Sequence, residues 1–385
     1  MDISFILNEL GEPHYENAGA IAPSMVTSVN FGYKSVAAMK EAFKNEYDIP
    51  LYSRGNNPTV DLLNKKLAAL EGTEEALSFA SGSAAVAAAV IANVNQGDHI
   101  VYVENPYSWT NKLMTRLLPR FGVTATPVDG KNADNYRKAI QPNTKMLYLE
   151  SPNTFTFELQ DVEAVVAIAK EHHLLTIIDN SYATPINFVP AAIGVDIVLH
   201  AATKYINGHS DAIAGVVCGT REMMRKIFYS EFMTLGATLS PFNAWLLLRG
   251  LRTLPLRMER VAQTTMEIAK RLEQHPKVDK VHYPFLSTHP QFKLAQKQMK
   301  RGGGLFSIQL KTDKVEEVEK FCDSLQKFSL AASWGGYESL VWPYCAVHIP
   351  EGMQAVYPQN LIRFYVGLED TEYLWKDLEQ AFGSF

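Results

Sequence analysis

Between residues 99 and 219 the chain repeats one pattern, a short apolar run followed by a polar or helical stretch. The runs are HIVYVENP, VTATPVDG, KMLYLESP, LLTIIDNS, DIVLHAATK and AIAGVVCG. Segments this short, rich in Val, Ile and Leu on both faces, are what buried parallel strands look like. Helical segments such as VEAVVAIAKEHH alternate with them, which implies βαβ units and a doubly wound α/β sheet. In such sheets a ligand sits beyond the carboxyl ends of the strands, so chemistry is to be sought just after each run.

At 385 residues the chain exceeds one minimal core and predicts a large domain plus a smaller one. Residues 1–55 carry turn formers and scattered aromatics without a sustained period, and read as an extended arm that packs on something other than itself. The large α/β domain is expected over 56–240. It opens with DLLNKKLAALEG, whose helical spacing ends at Gly72 as a C-terminal cap would. Residues 241–385 read as a separate α+β domain with long helical stretches, a strand-like GLFSIQL and a final helix near TEYLWKDLEQAF.

Composition then removes whole classes of function. Hydrophobic residues at 47% and charged residues at 20% fit an ordinary globular protein rather than a disordered or membrane one. A net charge of -5 argues against a nucleic-acid partner. Cys218, Cys322 and Cys345 are far apart and form no CxxC pair, so neither a disulfide framework nor a thiolate metal site is expected. The first residues lack a basic stretch followed by an apolar one, and no apolar run reaches bilayer length. A cytoplasmic protein with no membrane partner is the expectation.

Two strand ends stand out. TIIDNSY places Asp179 directly after an apolar run, and DIVLHAATKY places Lys204 just after the next. Singly, Asp179 reads as well as a helix cap and Lys204 as a solvated strand-end cation. SGSAAVAAAV adds Ser81, Gly82 and Ser83 at the start of a strong helix former, where free N–H groups and the positive dipole end bind anions. Small residues in that place also serve merely as caps. Tyr107, after HIVYVE, supplies either a ring to stack on a ligand or a packing aromatic. Taken together these residues suit pyridoxal 5'-phosphate (PLP): a lysine for the Schiff base, an acid at the pyridine nitrogen, an amide-lined phosphate site and a stacking ring. A dinucleotide-dependent dehydrogenase would need a G-x-G-x-x-G turn after the first strand, and none is there.

The chain resembles the Cys/Met-metabolism (transsulfuration) PLP enzymes over nearly its whole length. The matching stretches begin at Tyr52 (YSRGNNPT), Ser81 (SGSAA), Tyr107, Glu150 (ESPNTFTFELQDV), Asp179 (DNSYATP), Ala202 (ATKYINGHSD), Leu248 (LRGLRTLPLRMERV), Ser333 (SWGGYESL) and Leu361 (LIRFYVGLED). The resemblance implies an aspartate aminotransferase-like fold with a mainly parallel sheet and a smaller α+β C-terminal domain. It implies Lys204, Tyr107 and Asp179 as catalytic residues. Gly82, Ser83, Thr203 and Thr154 would join them around the cofactor, with Tyr52 and Arg54 reaching the phosphate of a neighbouring subunit. Arg363 would fork onto the substrate carboxylate, with Ser333, Trp334 and Tyr52 lining the same site. An obligate homo-oligomer follows, expected as a tetramer built from dimers that share active sites.

Departures from the family pattern bear on the reaction. Thr154 stands where many members have an Asn near the cofactor's phenolic oxygen, and Ala201 replaces a phosphate-binding serine. Ala332 stands where members that work on the γ side of cystathionine have a Glu, and Trp109 where methionine γ-lyases have a Cys. Together with the SWGGYESL string, these make the chain most like cystathionine β-lyases. The expected reaction is β-elimination from cystathionine or cystine to pyruvate, ammonia and a thiol. The alternative is γ-elimination or γ-replacement within the same family.

Overall fold

A computed structural model describes residues 1–12, 19–349 and 354–385. The predicted runs form the large sheet: β1 (Glu75–Phe79), β2 (His99–Val103), β3 (Thr124–Val128), β4 (Thr144–Glu150), β5 (Leu175–Asp179), β6 (Ile197–His200) and β7 (Gly215–Gly219). Their order is β1-β7-β6-β5-β4-β2-β3. Along β4, Leu147 and Leu149 enter one core while Met146 and Tyr148 enter the other. Both faces are covered, which is why these runs are continuously apolar.

Two expectations about the sheet are corrected. AIAGVVCG is not parallel to its neighbours, since β7 pairs antiparallel with both β1 and β6. The segment between β6 and β7 contains no crossover helix, and a chain that returns without one reverses direction. VTATPVDG is not buried on both faces either: β3 is the edge strand, with Thr124 and Pro127 exposed, a place where proline removes no ladder bond.

Helix α1 (Ile3–Asn8) corrects part of the arm. It is helical rather than extended, and it buries Ile6 and Leu7 in the core of its own chain. Helix α2 (Val36–Lys44) leaves Val36, Met39 and Phe43 exposed. Helix α3 (Pro58–Glu71) starts at Asn57, whose side chain accepts the Thr59 N–H, and stops at Gly72 with φ 68°, the left-handed cap that the sequence predicts. Helix α4 (Gly82–Ile91) is capped by the Ser81 side chain, which accepts the Ala84 N–H.

The 33-residue helix Pro241–Glu273 joins the two cores. Its Leu247, Leu251 and Leu254 pack in the large core, and its Ile268, Ala269 and Leu272 in the small one. The small sheet has five strands where the sequence suggested one: β8 (Val278–His282), β9 (Leu305–Leu310), β10 (Ser329–Leu330), β11 (Leu340–Pro343) and β12 (Leu361–Tyr365), in the order β10-β11-β12-β9-β8.

The docking of α1 rests on a buried charge. Lys66 Nζ on α3 lies 3.0 Å from Glu12, and donates to Ile6 O at 2.7 Å and Leu7 O at 3.2 Å. Arg252 reaches the same carboxylate at 2.9 Å. Removing one partner of a buried pair leaves an uncompensated charge at a cost of ~3–5 kcal/mol. Glu12→Ala is therefore expected to lower the urea midpoint by an amount in that range. Lys66→Met added to it should recover part of the loss, and a purely additive double mutant would refute the coupling.

Candidate active site

The lysine-bearing turn follows β6 and is tied to both neighbouring elements. Asp179 at the end of β5 accepts the Ser181 N–H at 2.9 Å and the Ser181 hydroxyl; that hydroxyl in turn accepts the Ala201 N–H at 2.7 Å. On the other side Gly335, at φ 88°, approaches so closely that an added Cβ would lie 2.8 Å from the Lys204 Cα. The Lys204 amine donates to Ser333 Oγ at 2.5 Å and lies 5.4 Å from the centre of the Trp334 ring. Burial, with the positive charge of Arg363 adding to it, pushes the Lys204 pKa down to about 8, against the opposing pull of Asp179.

Arg363 lies on β12, buried, and donates to Ser333 O at 3.3 Å. Burial lowers its pKa to about 10, and no carboxylate pairs with it among the described residues. Ser333 adopts φ 84°, a conformation that costs a non-glycine residue roughly 1–3 kcal/mol and is characteristic of functional sites. Lys204, Ser333, Trp334 and Arg363 are thus brought together as expected.

Asp179 does not stand alone. Glu150 ends β4 in register with it, and burial together with the Asp179 charge pushes Glu150 up to about 8. Glu150 accepts the Tyr107 N–H at 2.7 Å, the Thr154 N–H at 3.1 Å and the Thr154 hydroxyl at 3.0 Å. Burial also raises the pKa of Asp179, while Ser181, His200 and Lys204 favour its ionised form. His200 itself is buried on Glu71 at 2.5 Å. The organising roles of Glu150 and Ser181 escaped the sequence reading. The available signal was that Glu150 closes an apolar run just as Asp179 does.

At the helix start, the Ser81 side chain is spent as a cap, whereas the Gly82 and Ser83 amides are first-turn groups with no intrahelical acceptor. A Cβ on Gly82 would lie 3.0 Å from that of Ala201, so the helix start and the lysine turn press together. Two hydroxyls expected at the cofactor have protein partners. Thr203 donates to Ala214 O at 3.1 Å and accepts the Ala214 N–H at 3.0 Å, and Thr154 donates to Glu150. Neither proton is free for a cofactor in this arrangement. Tyr107 is half-exposed, and Trp109 is exposed beside it. Tyr52 and Arg54 are exposed and pair with each other, the guanidinium 5.5 Å from the ring centre. Among the described residues neither has a hydrogen bond or ion pair to the group around Lys204.

The family model for Cys/Met metabolism PLP-dependent enzymes matches residues 7–383. The chain belongs to this family. An L-methionine gamma-lyase of Treponema denticola is 38% identical over 371 residues, spanning 94% of this chain and 92% of that one. A cystathionine beta-lyase of Lactococcus lactis subsp. cremoris is 40% identical over 336 residues, spanning 86% and 87%. The crystal structure of metB from Corynebacterium glutamicum matches with a TM-score of 0.92 at 33% identity, over 100% of this chain and 98% of that one. The protein is therefore a PLP-dependent lyase of Cys/Met metabolism on the expected fold. The residues fit the cofactor: an amine of lowered pKa, a carboxyl at the end of the central strand β5, and a helix start whose Gly82 packs tightly against Ala201.

A pKa of about 8 leaves roughly a tenth of the Lys204 amine unprotonated at pH 7, against ~0.03% for an ordinary lysine. Acylation of Lys204 in cofactor-free protein, followed by peptide mass spectrometry, is expected to reach half its limiting rate near pH 8. Arg363→Gln should move that midpoint upward, because losing a nearby positive charge favours the ammonium form. A wild-type midpoint above ~10, where ordinary lysines titrate, would contradict this environment.

Proposed function

We propose that the protein is a carbon–sulfur lyase that eliminates a thiol from the β-carbon of a sulfur amino acid, with cystathionine or cystine as substrate. The observation that carries the reading is the pairing of a lysine of lowered pKa with a buried arginine that meets no acid among the described residues, both joined to Ser333. PLP, when bound, supplies an electron sink for the carbanion formed at the substrate's α-carbon.

This chain's residues do the rest. The Gly82 and Ser83 amides hold the phosphate at the helix start, with Thr203 fixing the adjacent turn. Asp179 faces the pyridine nitrogen and Tyr107 covers the ring, its backbone set by Glu150. Thr154 acts through Glu150 instead of touching the cofactor. Arg363 holds the substrate carboxylate, Ser333, Trp334 and Tyr52 line the pocket, and Lys204 takes the α-proton onto Nζ. Tyr107 or Lys204 then gives a proton to the departing thiolate. Tyr52 and Arg54, exposed on their own chain, complete the phosphate site of a neighbouring subunit in an oligomer built from dimers. The exposed Val36, Met39 and Phe43 are consistent with such packing.

The choice of β over γ rests on Ala332. It is exposed at the mouth of the Ser333 turn and offers no carboxylate for the distal ammonium of cystathionine. Glu338, the nearest acid in sequence, already accepts the Ser210 hydroxyl on both oxygens, at 2.6 and 2.8 Å. The γ reading is favoured by the methionine gamma-lyase relative, which spans 94% of the chain. An unpaired cation at a partly buried site costs on the order of a few kcal/mol, or ~100-fold in preference.

Cystathionine is therefore expected to yield mainly pyruvate, with Ala332→Glu raising the share of 2-oxobutanoate. Chiefly 2-oxobutanoate from the wild-type enzyme, identified by keto-acid chromatography, would reject the β assignment. For the shared site, Arg54→Ala and Lys204→Ala subunits, each inactive, should regain activity on mixing, because hybrid dimers contain one site with both residues intact. Absence of complementation after proven subunit exchange would count against sharing.

A further inference from the structure

Arg363 poses a physical problem that the reaction does not by itself solve. A buried guanidinium needs compensation, yet among the described residues it meets no carboxylate, and its recorded hydrogen bond is the 3.3 Å contact with Ser333 O. Two adjoining aromatic rings lie against it instead. The Trp342 ring centre lies 4.6 Å from the guanidinium carbon and the Phe155 ring centre 5.2 Å from it. Trp342 is the register partner of Arg363 across β11 and β12. Phe155 comes from the loop after β4, in the large domain, and adopts φ 68°. It packs on Trp342, Tyr344 and Tyr357 with ring centres 5.4–5.5 Å apart, in a small cluster separate from the main cores.

We infer that Phe155 and Trp342 are positioning residues that hold the Arg363 guanidinium against an adjoining pair of aromatic rings, leaving its charge unneutralised and its fork of N–H donors open to a substrate carboxylate. An acid in their place would orient the arginine equally well. It would also cancel the charge and occupy the donors that the substrate needs. Ring faces attract the cation without consuming its N–H groups. The clamp also spans the two domains, since Phe155 belongs to the large one and Arg363 to the small one, so the carboxylate site takes its final shape only when they are in contact. The strained backbone at Phe155 fits a residue kept for position rather than for stability. Phe155 lies just beyond Thr154, in a stretch where this chain departs from its family's pattern.

The inference rests on Arg363 as the carboxylate anchor, and the test separates the two. Binding of glycine and of methylamine to PLP-loaded enzyme is followed by the change in the cofactor's absorbance. Methylamine lacks the carboxylate and reports everything except the clamp. Trp342→Leu and Phe155→Leu are each expected to raise the glycine Kd about tenfold, ~1.4 kcal/mol, with the methylamine Kd within about twofold of wild type and PLP content unchanged. Trp342→Phe, which keeps a ring face, should restore most of the affinity. Arg363→Gln should raise the glycine Kd further still. If Arg363→Gln leaves glycine binding intact, the anchor reading fails. If it weakens glycine while both leucine variants bind it normally, or weaken glycine and methylamine alike, the clamp alone is overturned. Should one leucine variant not fold, the other carries the same comparison.

Discussion

Lys204 and Arg363 carry charge of the same sign, and both are drawn out of water beside one serine. Desolvation and mutual repulsion each act against such an arrangement, so the surrounding structure must hold it in place. Asp179 and Glu150 stand at adjacent strand ends on the large domain, whereas Arg363 and the Ser333 turn belong to the small one. The site therefore has acids on one wall and a cation on the other, with Lys204 between them. That polarity suits a zwitterionic amino acid, and neither domain possesses it alone.

Holding the lysine turn requires contacts that reach far from the chemistry. The buried Arg257 donates to Tyr205 O at 2.7 Å and to Gly250 O at 2.8 Å, joining the residue after Lys204 to the long helix. A Cβ at Gly250 would lie 2.2 Å from Asn207 O, so only glycine lets the turn pass. Pro255 sits inside that helix and cannot donate to the carbonyl one turn before it. The Tyr205 hydroxyl accepts the Gly304 N–H at 2.6 Å. The chain on either side of Lys204 is thus fixed to the large sheet, the long helix and the small domain at once.

What the sequence disclosed and what it withheld follow from the same physics. Strands β2, β4, β5 and β6 were legible because burial on both faces demands continuous apolar runs, and Gly72 was legible because a left-handed cap favours one residue. The direction of β7 was not, since composition records burial and not which way the connection returns. EALSF, with its Glu and Ser, does not read as an apolar run, so β1 passed unnoticed. Lys204, Asp179 and Arg363 were singled out from motifs, but where a hydroxyl points is decided by its rotamer. The partners of Thr203 and Thr154, which are Ala214 and Glu150, could not be read from any motif. Helix α1 is too short to show a sustained period, and the charge that fixes it, Lys66, reads in sequence as a surface lysine.

The coupling between the two cations has a consequence for turnover. Arg363 contributes to the depressed proton affinity of the free Lys204 amine. With a substrate carboxylate on Arg363, as proposed, that repulsion is largely cancelled, and the freed Lys204 amine is a stronger base than it would be beside an unpaired Arg363. The sign is favourable for the step proposed for it, taking the α-hydrogen. An acid placed permanently beside Arg363 would remove this dependence on the substrate, because the repulsion would be cancelled from the outset. A guanidinium held by aromatic faces preserves the difference between the two states, and it does so with residues that neither titrate nor compete for the substrate.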